Sequence, residues 1–77
     1  MEIRITSGAR KHGFGKRRTL LALSNYNQCN TSAEKSPDPK IMFVGQDSKG
    51  VELEIVAVVL PRTLLIIHAM PTAYRRN

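Results

Sequence analysis

VELEIVAVVL, running from Val51 to Leu60, decides the fold. In an extended chain Val51, Leu53, Ile55, Ala57 and Val59 point one way, and Glu52, Glu54, Val56, Val58 and Leu60 point the other. The first set is apolar throughout, so that face is core. The second set starts charged and ends apolar, which predicts cover over only half of it. A strand of this kind needs partners, and the sequence offers one on each side. KIMFVGQ (Lys40 to Gln46) precedes it across DSKG, a tight turn built from aspartate and glycine, and LLIIHAM (Leu64 to Met70) comes after it across Pro61, Arg62 and Thr63. The expected centre of the fold is therefore a three-stranded antiparallel meander.

The N-terminal third reads as helical. Ile3 and Ile5 alternate with Glu2 and Arg4, which suits a short edge strand or an extended lead-in. Thr6 or Ser7 can cap a helix from about Ser7 to His12, with Ile5, Ala9 and His12 at helical spacing and Gly13 as its stop. A second helix is expected from about Gly15 to Ser24 through KRRTLLALS, with Leu20 and Leu23 on one stripe and Leu21 beside them. NYNQCNTSAEKSPDP (residues 25–39) is polar and ends in an SPDP turn, so it reads as a loop. PTAYRRN (residues 71–77) reads as a basic tail. The expected class is α+β in a single domain over residues 1–77. Two short N-terminal helices pack on a three-stranded antiparallel sheet, or a four-stranded one if the lead-in joins it.

Composition narrows the function. At 42% hydrophobic the chain is too apolar for disorder, yet no apolar run reaches the roughly 18 residues of a membrane span. No partner membrane is expected. The opening MEIRITSGAR lacks the basic-then-apolar order of a signal peptide, and Cys29 is the only cysteine, so the expectation is a reducing cytoplasm. Cys29 has no second thiol or histidine near it in sequence, which argues against a nucleophile or metal ligand. No metal and no cofactor are expected.

Net charge is +6, and its distribution is uneven. RKHGFGKRR (Arg10 to Arg18) concentrates Arg10, Lys11, His12, Lys16, Arg17 and Arg18, and Arg75 and Arg76 close the chain. Lys16, Arg17 and Arg18 fall in the first turn of the second helix, where cations oppose the macrodipole. Local stability does not account for them. A field of this sign draws polyanions, either nucleic acid or an acidic protein, with plain solubility as the remaining explanation.

ARKHGF (Ala9 to Phe14), MFVG followed by LEIVAVV, and IIHAMP with Tyr74, Arg75 and Arg76 behind it carry a further signal. In this order, on a chain so short, they resemble the small bacterial toxins of the RelE/ParE superfamily, and within it the BrnT-like group. The resemblance implies a type II toxin that cleaves RNA without a metal and is silenced by an acidic antitoxin protein. In that chemistry the 2′-hydroxyl attacks its own phosphorus, and cations stabilise the added charge. Imidazole exchanges protons near neutral pH, so His12 and His68 are the expected base and acid, with Tyr74 stacking or assisting. Arg10, Lys11, Lys16, Arg17, Arg18, Arg75 and Arg76 are the expected phosphate contacts.

Blander readings stand beside these. His68 shares the expected face of Leu64, Ile66 and Met70, which suits a buried histidine bonded to a carbonyl. His12 can be a surface residue, and Arg75 and Arg76 a loose end. Glu52 and Glu54 fit a solvated face, or pairs with Arg18 or Lys40. The alternative function is a small basic module without catalysis that binds RNA or an acidic partner protein.

Overall fold

The computed structural model describes residues 2–10, 15–31 and 39–75, without the side chains of Arg10 and Arg75. Five strands form one mixed sheet: β1 (Glu2–Ile5), β2 (Tyr26–Thr31), β3 (Lys40–Gln46), β4 (Glu52–Val59) and β5 (Thr63–Pro71). Their spatial order is β1-β5-β4-β3-β2, with β1 parallel to β5 and every other pair antiparallel. A single α-helix occurs among the described residues, α1 (Lys16–Ser24), along with two short 3-10 turns, Gly8–Arg10 and Thr72–Arg75.

This corrects the expected class of two helices on three antiparallel strands. The meander and the second helix fall where their apolar periods put them. The first helix does not form over its described residues. Thr6 does cap, its Oγ1 accepting from the Ala9 amide at 3.2 Å, but it caps only a three-residue 3-10 turn. Residues 11–14, which take in the rest of that expected helix, lie outside the described residues.

The loop expected over residues 25–39 is also corrected, because Tyr26–Thr31 is a strand. All six of its side chains are exposed. With neither face buried, no apolar alternation is required, and alternation is the signal that locates the other strands. What holds β2 is its backbone ladder to β3 and an edge-to-face contact between Tyr26 and Phe43, with ring centroids 5.3 Å apart. The tail expected from residue 71 is shorter in the fold, since Pro71 still belongs to β5 and residues 72–75 form a turn.

One face of the sheet is core. Leu53, Ile55 and Ala57 of β4, with Ile66 and Ala69 of β5, are fully or almost fully buried beneath Ala22 and Leu23 of α1 and beneath Ala9. Each buried leucine or isoleucine side chain there contributes about 1.5–3 kcal/mol. Gly45 lets α1 come this close, because a Cβ at that position would stand 2.1 Å from the Ala22 carbonyl oxygen. No side chain other than hydrogen fits.

The register between β4 and β5 slips by one residue. Val56 pairs with His68 and Ala57 pairs with Ile66, so Ile67 is passed over as a bulge. Beyond that point every side chain changes face. His68 and Met70 therefore lie on the sheet face away from α1, whereas Leu64 and Ile66 lie on the core face. The expectation that His68 shares a face with Leu64 and Ile66 is corrected for that reason.

Candidate functional site

Only a few of the expected site residues come together. Lys16, Arg17 and Arg18 open α1, which starts after Gly15 with no side-chain cap and no acidic residue in its first turn. Lys16 and Arg17 are exposed, and neither is in an ion pair among the described residues. Arg18 turns the other way. Its Nε donates to Asp47 Oδ2 at 2.8 Å, and its Nη2 contacts the same oxygen.

Asp47 is a site residue that sequence reasoning missed. It heads the β3–β4 hairpin, and its Oδ1 accepts from the amides of Lys49 at 2.8 Å and Val51 at 3.0 Å. Its own amide donates to the Val51 carbonyl, and Gly50 completes the turn at a φ of 77°. The side chain is wholly buried. Burial pushes its carboxyl upward, but the Val51 and Lys49 amides and the Arg18 guanidinium outweigh that and hold it below the ordinary value. DSKG carries half of this signal, since an aspartate opening a glycine turn commonly bonds the backbone ahead of it. The missing half is Arg18, which is 29 residues away in sequence.

The Arg18–Asp47 pair joins the start of α1 to the hairpin, and a depression lies beside it, between helix and hairpin. Lys16, Arg17, Leu20, Leu21, Ser24 and Ser48 line an open hollow of about 670 Å³. Its surface is mostly apolar, with Leu21 exposed at 36% and the two cations among its lining. Lysine and arginine cover apolar surface with their stems and keep their charge in water, so such a hollow offers both an apolar floor and positive charge. None of these lining residues is aromatic.

The remaining expected residues stand elsewhere. His68 is on the opposite sheet face, its Nε2 3.6 Å from Oε1 of the nearly buried Glu54. Glu54 thus faces His68, a neighbour not among the expected partners of the strand glutamates. Tyr74 is 60% exposed in the turn Thr72–Arg75, which is tied to β4 by a 2.7 Å hydrogen bond from Thr72 Oγ1 to Glu52 Oε1. Arg10 and Arg75 fall in the two 3-10 turns. Lys11, His12 and Arg76 lie outside the described residues. The exposed cations of α1 and the imidazole of His68 are therefore separated by the sheet itself.

No helix of the described residues is long and apolar enough to cross a membrane. Among them no cluster of three or more histidine, cysteine, aspartate or glutamate side chains is placed to hold a metal ion. No family model matches the chain, and no characterised protein or solved structure is significantly similar to it.

Proposed function

We propose that this protein is a small basic binding module without catalysis, which docks an acidic, amphipathic segment of a partner protein on the outer side of α1. The observation that carries this is the hollow in which Lys16 and Arg17 flank Leu20 and Leu21. An amphipathic helix entering it sets an apolar side chain against the leucines and carboxylates against the two cations. Single-stranded RNA is held instead by aromatic stacking combined with charge, and the lining of this hollow supplies only the charge. An RNA-cleaving toxin acting through 2′-hydroxyl attack is the weaker proposal. It draws on the same cations but requires a proton carrier among them; of the two expected imidazoles His68 stands across the sheet, and His12 lies outside the described residues.

The test is fluorescence anisotropy at physiological ionic strength. One probe is a synthetic helical peptide with glutamates along one edge and leucines along the next; the other is an oligouridylate of equal charge. The peptide is expected to bind more tightly, and the Lys16→Glu/Arg17→Glu variant to weaken it at least tenfold. Tighter binding of the oligouridylate, with release of a 2′,3′-cyclic phosphate, would replace this reading with the nuclease.

A further inference from the structure

β2 is the outermost strand on its side of the sheet, and among the described residues nothing pairs with its outer edge. Such an edge presents a row of backbone donors and acceptors to any strand that can approach. Proteins usually block it with charge, proline or a buried-facing lysine. YNQCNT has no charge and no proline, in a chain whose net charge is +6; its one irregularity, a bulge between Tyr26 and Gln28, falls at the start of the strand and leaves Gln28–Thr31 in regular register with β3. The opposite edge strand, β1, does carry charge in Glu2 and Arg4.

We infer that the β2 edge is a self-association surface and that its occupant is the β2 edge of a second copy of this chain, running antiparallel about a two-fold axis at Cys29. The chemistry of the strand favours this occupant over an acidic or basic peptide. Gln28 and Asn30 share the sheet face of Val44 and Met42, and Cys29 lies on the other face with Phe43. With the axis at Cys29, Gln28 of each copy stands opposite Asn30 of the other. Side-chain amides both donate and accept, so the two cross-strand pairs are self-complementary and need no opposite charge. A charged peptide strand would find no counter-charge on β2. Because the axis is perpendicular to the sheet, both α1 helices stay on one side. α1 packs over β3 and β4, and among the described residues no strand covers the outer edge of β2. The surface is separate from the hollow on α1 and does not depend on what that hollow binds.

The geometry also supplies a reporter. Facing residues in antiparallel strands have Cα atoms about 4.5–5.5 Å apart, within the roughly 4.4–6.8 Å that a disulfide spans. Cys29 is exposed and reduced here. Under copper-catalysed air oxidation two Cys29 thiols would give up two protons and two electrons to dioxygen and join across the axis.

The test is sedimentation velocity of the 77-residue chain across a concentration series, in reductant, combined with the rate of Cys29 cross-linking. Reversible dimerisation is expected. The Gln28→Lys/Asn30→Lys variant sets like charges opposite each other twice and should raise the dissociation constant at least tenfold and slow cross-linking by a similar factor. The Gln28→Lys/Asn30→Glu variant sets a cation opposite an anion at both positions and should dimerise again. Both positions are exposed, and circular dichroism checks that each variant is folded. A wild-type chain that stays monomeric throughout the series would overturn the inference. So would a dimer indifferent to the like-charge variant, or one not restored by the opposite-charge variant.

Discussion

Arg18 Nε donates to Asp47 Oδ2 at 2.8 Å, and this contact ties the start of the helix to the hairpin. The arginine belongs to the basic run that the sequence offers as a phosphate clamp, yet its charge is spent on a carboxylate inside the protein. Its neighbours Lys16 and Arg17 are left to face solvent.

Removing one partner of this pair strands the other. Arg18→Ala leaves a buried carboxylate with two amide donors but no counter-charge, and loss of about 2–4 kcal/mol is expected, at the lower end because Arg18 is part-exposed. Asp47→Asn keeps the shape and removes the charge, and should cost less. Urea unfolding of both single variants and of the double variant measures the coupling. Additive losses would show that the contact contributes nothing.

Acid should act on the same pair. The folded-state pKa of Asp47 is depressed below 3.8, its ordinary value, so the unfolded chain takes up the proton first as pH falls. The stabilisation is full above that ordinary value. It declines as pH drops below it and is gone once the folded-state carboxyl is also protonated. Thermal melts from neutral pH down to strong acid should therefore show the wild type losing stability that Asp47→Asn never had. The gap between the two should close at the acid end. A gap that persists unchanged would place the titration elsewhere.

Gly45 and Gly50 make a second comparison. A methyl at position 45 meets the Ala22 carbonyl oxygen at 2.1 Å, and that oxygen belongs to the packed backbone of the helix, so α1 must lift from β3. Gly45→Ala is expected to cost about 3 kcal/mol or more, in the range of severe overpacking. At position 50 the space is open and only the left-handed φ of 77° resists, so Gly50→Ala should cost about 1–2 kcal/mol. Chemical denaturation ranks them, and equal losses would mean that α1 can shift without penalty.

The proposed docking face predicts a sharp division among the cations and imidazole. Arg17→Ala should weaken binding of the acidic peptide about three- to tenfold, with a shallower dependence on salt, as the loss of one exposed charge implies. His68→Gln, across the sheet, should leave the affinity within about twofold. Anisotropy titrations at two ionic strengths check both. Equal effects from the two substitutions would remove α1 as the binding face.

Much of the fold is legible in the residues. The alternation in VELEIVAVVL, with KIMFVGQ and LLIIHAM on either side, locates β3, β4 and β5, and the leucines of KRRTLLALS locate α1. These segments bury one face, and burial writes its period into side-chain identity. The polar segment NYNQCNT buries neither face, so its strand state leaves no such trace. Of the expected site, Lys16 and Arg17 can be read as free surface charge, but Arg18 cannot be told from them because Asp47 is remote in sequence.

Taken alone, then, the sequence determined where apolar faces lie and how much positive charge the chain carries, because both come directly from side-chain chemistry. Tertiary structure alone decided that β2 pairs with β3 and β1 with β5, since backbone hydrogen bonds are available to any extended segment. It also decided the side of the sheet on which His68 stands, because a single unpaired residue at Ile67 reverses every side chain beyond it.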